Sequence, residues 1–152
     1  MGVSIRFPSK TLDCGYFGFK RLRDSILNHV PHKKLHEVYD DVQNNLFIFD
    51  ADEKKKFYED VNKKINDMEY LANEGSTKEE KIFLNLFCNF FWASDCEAKM
   101  KPAHAKAIWH YIENATEDFS FGYSARPDCS TFQQFKQCIK ECVDNNKGFC
   151  WF

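Results

Sequence analysis

No window of this chain approaches the ~20 consecutive apolar residues that a helix needs to cross a bilayer. The opening stretch, MGVSIRFPSK, has neither an apolar segment nor a small-residue cleavage site, so it does not read as a secretory signal. Gly2 is placed for myristoylation, but position 6 is Arg6, where that modification prefers Ser or Thr. There is no long block of one charge sign, and the net charge is -2. A protein that grips a phosphate backbone normally shows a basic face, so nucleic acid is not expected as the main partner, nor is a membrane. Also missing are a C-x-x-C pair, a Gly-rich phosphate loop, G-x-S-x-G and H-E-x-x-H. No internal repeat, low-complexity tract or linker divides the sequence. These absences lead to the expectation of a soluble, cytoplasmic protein forming a single domain over residues 1–152.

What is present is aromatic. The 152 residues include 16 Phe, 6 Tyr and 3 Trp, and each buried ring removes roughly 150–250 Å² from water. A chain of this length can bury a real core without staples. Seven cysteines is an odd number, and without a secretion signal they are expected as free thiols. Cys88, Cys138 and Cys142 fall on helix faces and behave there as small apolar residues.

Hydrophobic spacing predicts an α+β fold, mostly helical with five to six helices, and a small sheet of short strands near the termini. Val3 to Phe7 alternates and predicts a strand. Phe19, Leu22, Ile26 and Val30 predict a helix from Tyr16 to His29, with Gly15 and Gly18 near its start implying close approach of backbone or ligand. A helix opening at Pro31 has Leu35, Val38, Tyr39 and Val42 as its stripe; His29, His32 and His36 cluster there and read as solvated surface. Leu46 to Phe49 is a short strand or buried turn. Asp50 or Asp52 caps a helix running to Asn73, closed by Gly75. Ser76 with Glu79 reads as a capping box for a helix to Trp92. Its Phe83, Leu84, Phe87, Phe90 and Phe91, with Ile82 and Leu86, cover most of the circumference and mark it as central to a core. A helix restarts at Pro102. Phe119 to Tyr123 alternates as a strand, and Ser130 with Gln133 forms a second capping box for a last helix ended by Gly148. Phe149 to Phe152 is expected as an edge strand against Val3–Phe7.

Between the Phe-rich helix and Pro102 stands a polar loop, Ser94-Asp95-Cys96-Glu97. Together with Tyr16-Phe17-Gly18-Phe19-Lys20-Arg21-Leu22-Arg23, Pro102 and the closing Asn146-Lys147-Gly148-Phe149-Cys150-Trp151-Phe152, it resembles a loose family of small bacterial and phage proteins. The family pattern runs through a short strand, an aromatic-x-Gly-Phe helix, an S-D-C-[DE]-G segment, a Pro-initiated helix and an aromatic C-terminus. Ala98 stands here where the family has Gly. The resemblance implies the fold and supplies no activity.

Three Asp-Cys dipeptides, Asp13-Cys14, Asp95-Cys96 and Asp128-Cys129, could gather thiols and carboxylates for zinc or iron if their loops converge. Without C-x-x-C spacing, no metal and no cofactor is expected. A nucleophilic cysteine would need a base, for which His104 and His110 are the candidates, but they lie on different helix faces. The stronger reading is a ligand-binding surface. Arg21, Arg23 and Arg126 fall near the loops expected to surround Ser94, Asp95 and Glu97, and Tyr16, Phe17, Trp92 and Tyr123 lie close by in sequence; Asp128 is a further candidate of the same site. Arginines beside aromatic faces suit a small anionic planar ligand such as a nucleotide, and equally a protein partner. The expectation is therefore a non-enzymatic binding module, of the type of a phage-encoded accessory or anti-defence protein that binds a host protein or sequesters a small nucleotide, with homo-oligomerisation open. The alternative is a small enzyme acting on a nucleotide-like substrate through Asp95, Cys96 and Glu97.

Overall fold

Among the residues described by a computed structural model, 2–44, 50–66, 77–123 and 129–152, there are four short strands and six helices. The architecture is α+β. In chain order the elements are β1 (Val3–Arg6), β2 (Thr11–Cys14), α1 (Tyr16–Leu27), α2 (Lys33–Asn44), α3 (Ala51–Asn66), α4 (Lys78–Phe91), β3 (Ala98–Met100), α5 (Pro102–Ile112), α6 (Phe132–Asn145) and β4 (Phe149–Trp151). Their contacts divide the chain into two units. One comprises residues 1–30 and 86–152; the other comprises residues 31–85.

The sheet belongs to the first unit. It is antiparallel throughout, in the order β2-β1-β4-β3. Period-two alternation separates its faces. Leu12, Ile5, Trp151 and Ala98 stand opposite one another in register on one side. Leu12, Ile5 and Trp151 in that row are fully buried. Thr11, Arg6, Cys150 and Lys99 form the corresponding row on the other side. Thr11, Arg6 and Lys99 are exposed there.

The buried face meets a cluster of rings. Phe90 of α4 stands edge-on to Trp151 at 5.9 Å and to Phe149 at 6.2 Å, and is stacked on Phe135 of α6 at 6.5 Å. Phe19 of α1 meets Trp151 at 5.1 Å, and Phe7 stacks on Phe149 at 5.2 Å. Such pairs add about 0.5–1.5 kcal/mol each beyond area burial. The Phe-rich helix is thus a core element at its C-terminal half, where Phe87, Cys88, Phe90 and Phe91 are buried. Gly18 lets α1 pass close to residue 121, because a Cβ there would overlap the Phe121 carbonyl. Gly148 does the same for the Met100 carbonyl on β3.

In the second unit, α2 buries Leu35, Val38 and Val42. The helix α3 is opened by Asp50, whose carboxylate accepts from the Glu53 amide at 2.9 Å, an N-cap.

Several expectations need correction. β4 is an interior strand, flanked by β1 and β3, because its Phe149 and Trp151 carry the buried face. β2 and β3 are strands that short, mixed sequences concealed. Residues 119–123 do not form a strand; only Ser120 bridges Thr131. Both capping boxes lie one residue further on. Thr77 and Glu80 exchange side-chain-to-amide bonds at the start of α4, and Thr131 and Gln134 do so at α6. Helix α6 ends at Asn146 in the left-handed region, at φ 51°, and not at Gly148. His32 is buried rather than solvated. Leu46–Phe49, the stretch of the third helix beyond residue 66, Gly75 and Ser76 lie outside the described residues.

Candidate functional site

Helix α4 runs out at Phe91 with its last carbonyls lacking intrahelical donors, as at every helix end. No glycine follows to turn the chain. The donors come from Arg23 on α1. Its Nη1 reaches the carbonyl oxygens of Phe91 at 3.1 Å and Ala93 at 2.9 Å, and lies 3.5 Å from that of Phe90. The guanidinium stacks over the Phe19 ring at 4.2 Å, and its Nη2 pairs with the Asp95 carboxylate. Arg23 is only 7% exposed. Burial lowers its pKa to about 10, with Asp24 and Cys14 opposing that fall, so the charge persists through the neutral range.

The same loop is held from two further sides. Ser94 Oγ accepts from the Cys96 amide at 3.1 Å, a local turn that Ser side chains commonly make. The Ser94 carbonyl accepts from the indole N–H of Trp151 at 2.8 Å. Ser94 and Asp95 are therefore anchored by α1 and β4, and the loop is a fixed feature of the first unit.

Above this anchor lies an aromatic edge. Tyr16 opens α1 and lies near Cys96. The Cys96 thiol, followed by slight burial, raises the Tyr16 pKa above its usual value. Tyr16 is 37% exposed, and its neighbour Phe17 is 91% exposed. Phe17 is a full phenyl ring in water at the first turn of a helix otherwise anchored in the core.

The remaining candidates are distributed more widely. Arg21 donates to the Ser120 carbonyl at 3.3 Å and lies over the Phe119 ring at 5.0 Å. Trp92 is half-buried, edge-on to Phe91 at 4.9 Å. Glu97 is exposed and stands at the rim of a groove of about 440 Å³ lined by Ala98, Lys99, Cys150, Trp151 and Phe152. Arg126 and Asp128 lie outside the described residues. The structure thus brings Tyr16, Arg23, Ser94 and Asp95 into one assembly with Cys96, and sets Phe17 beside it. Sequence reasoning missed Trp151 as the loop's second anchor and missed the groove along β3 and β4. The signal for both was the apolar C-terminal segment, whose register could not be assigned without β3.

The Cys96 thiol lies near the Tyr16 phenol. His104 Nδ1 accepts from the Lys101 amide at 3.0 Å and so completes the start of α5, with its pKa lowered by burial and by Lys101. Among the described residues no three His, Cys, Asp or Glu side chains are grouped to hold a metal ion, and no helix is long and apolar enough to cross a membrane. No family model, curated protein or solved structure matches this chain.

Proposed function

We propose that this chain is a non-enzymatic binding module that engages a protein partner through the Tyr16–Phe17 edge beside the Ser94–Glu97 loop. The observation that carries the reading is Phe17, a large ring 91% exposed on an element whose inner face is fully packed. Exposed aromatic rings next to a fixed polar rim are the usual anchors of protein interfaces. A rigid loop favours this use, since little ordering entropy remains to be lost on binding.

A protein partner fits better than a nucleotide. Bidentate recognition of phosphate needs a free guanidinium fork. The Arg23 fork is engaged by backbone carbonyls and Asp95, and Arg21 already bonds the Ser120 carbonyl. The enzymatic alternative through Asp95, Cys96 and Glu97 is less favoured because Asp95 is held in the Arg23 pair. The accessory or anti-defence role, with a host protein as partner, rests on the resemblance to phage proteins.

The test is differential capture from a bacterial lysate by the wild-type chain and by Phe17→Ala, with both proteins shown to melt alike. The proposal expects a partner retained by the first and lost by the second. Retention that ignores the substitution refutes it. A thermal shift with mononucleotides or cyclic nucleotides that Arg21→Ala abolishes would favour the nucleotide reading instead.

A further inference from the structure

The two edges of the sheet are finished differently. Ser4 and Phe152 exchange both of their backbone hydrogen bonds, at 3.0 and 3.3 Å. Bonded and non-bonded pairs alternate along an antiparallel ladder, so Cys150 and Phe152 bond β1 while Phe149 and Trp151 turn to β3. Their partners on β3 are Met100 and Ala98. The N–H and C=O groups of Glu97 and Lys99 therefore face away from the sheet, along its outer edge. Among the described residues nothing bonds them there. At the opposite edge the groups of Thr11 and Asp13 point outward by the same alternation, but Ser130 Oγ donates to the Asp13 carbonyl at 3.0 Å. The chain thus partly covers β2 and leaves β3 open. The side chains of Glu97 and Lys99 are exposed, and among the described residues neither is in an ion pair. Two positions apart on one strand, they share the outer face, with half-buried Ala98 between them turned to the inner one.

We infer that β3 is a self-association edge, pairing antiparallel with β3 of a second copy about a two-fold axis at Ala98. Backbone and charge select the same occupant. In that register Glu97 stands opposite the second copy's Lys99, and Lys99 opposite its Glu97. These are the residues whose N–H and C=O groups face outward, so each pair exchanges two backbone hydrogen bonds, four in all. Each pair also sets a carboxylate across from an ammonium with Cα atoms ~5.5 Å apart, which stabilises cross-strand neighbours. Ala98 falls on the axis in a non-bonded pair, where Cα atoms approach to ~4.5 Å and a small side chain leaves room for the inner faces to meet. One cation and one carboxylate on an edge leave no net charge to draw an acidic or a basic peptide, yet match fully between two copies, as an isologous contact requires. Sliding the register so that Lys99 meets Lys99, or Glu97 meets Glu97, sets like charges opposite and is disfavoured. A lysine on a three-residue edge strand normally deters pairing; a second copy in this one register neutralises it. Three residues a side is far fewer than the ~20–30 of a stable interface, so the dimer is weak and reversible, with a Kd on the order of 0.1 mM. This edge is separate from Phe17 and goes beyond the reading of that site.

The test is sedimentation equilibrium of the full chain from about 10 µM to about 1 mM, with amide hydrogen exchange at both ends of that range. The wild type should pass from monomer to dimer as concentration rises, with the Glu97 and Lys99 amides gaining protection. Glu97→Lys and Lys99→Glu each set like charges opposite and should weaken self-association at least about tenfold. The reversed pair, Glu97→Lys/Lys99→Glu, should restore it to within about threefold of wild type. Mixed in equal amounts, the two single variants should form a heterodimer, since each supplies the charge the other lacks. If a charge reversal disturbs folding, Glu97→Gln and Lys99→Gln take its place and should weaken the dimer at least about threefold. Phe17→Ala should leave every one of these results unchanged, which separates failure here from failure of the Phe17 reading. A wild type that stays monomeric over the whole range, a dimer indifferent to the single substitutions, or a mixture of the single variants that remains monomeric overturns the inference. A dimer lost in Phe17→Ala, or one whose protected amides exclude residues 97 and 99, overturns it equally.

Discussion

Replacing Arg23 by Met keeps an unbranched apolar stem while removing the guanidinium, which isolates what the charge does. Two of its carbonyl contacts, to Phe91 and Ala93, have good hydrogen-bond lengths of 3.1 and 2.9 Å; the third, to Phe90 at 3.5 Å, is marginal. Hydrogen bonds to a charged donor contribute ~1.5–3 kcal/mol each, so the two good ones together are worth about 3 kcal/mol at the low end of that range. The Asp95 partner is 55% exposed and is rehydrated when the pair is broken. That pair therefore adds under ~1 kcal/mol. The sum, about 3–4 kcal/mol, is a large share of the ~5–15 kcal/mol that holds a domain folded. For a chain of this size each kcal/mol shifts the melting temperature by roughly 2–4 °C, so Arg23→Met should melt about 6–16 °C lower. Asp95→Asn should melt within about 3 °C of wild type. Thermal melts give both shifts, and urea unfolding followed by tryptophan fluorescence gives the corresponding free energies. If Arg23→Met lost less than about 1 kcal/mol, or Asp95→Asn lost as much as Arg23→Met, the view of Arg23 as the cap of α4 would be wrong.

Gly18→Ala forces a methyl into the Phe121 carbonyl, a backbone atom that cannot step aside cheaply. It should destabilise by ~1–3 kcal/mol despite the better helix propensity of alanine, as a denaturation midpoint would show. Burial, before any charge effect, raises the thiols of Cys14 and Cys88 to about 12 and of Cys138 and Cys142 to about 11. In the native state at pH 8 a disulfide reagent should therefore titrate Cys96, Cys129 and Cys150 quickly and the other four only on unfolding. The unfolded chain ionises those four near pH 9 while the folded chain keeps their protons. Stability should accordingly fall as pH rises from about 9 to 11–12, by up to ~1.4 kcal/mol per unit for each thiol. A melting temperature flat from pH 8 to 10.5 would contradict this. His104 shifts the other way: its folded pKa is below 6.5, so its contribution is complete above that value and is lost as pH falls through it. His104→Gln should flatten the stability profile between pH 5 and 7.

The helices were legible in the sequence because their stripes repeat over several turns. Phe19, Leu22 and Ile26 on α1 and Phe135, Cys138, Ile139 and Cys142 on α6 are all buried as spacing predicts. The strands were less so, since three or four residues hold only two alternations. Ala98–Met100 gave no period, and Phe119–Tyr123 gave a false one. The capping boxes slipped by one residue because two adjacent hydroxyl residues, at 76–77 and again at 130–131, each offer a plausible register. At the candidate site, the importance of Ser94–Asp95 was visible but its cause was not. The pairing of Asp95 with Arg23 and of Ser94 with Trp151 joins residues 72 and 57 positions apart in sequence, and only the fold brings them together.

Amide hydrogen exchange of the full chain, alone and saturated with a partner captured through the Phe17-dependent interaction, locates the binding surface most directly. The account predicts new protection at residues 15–18 and 94–97, with the α4 C-terminus already slow to exchange in the free protein. Protection confined to other segments, or a Ser94–Glu97 loop that exchanges freely in both states, would contradict it.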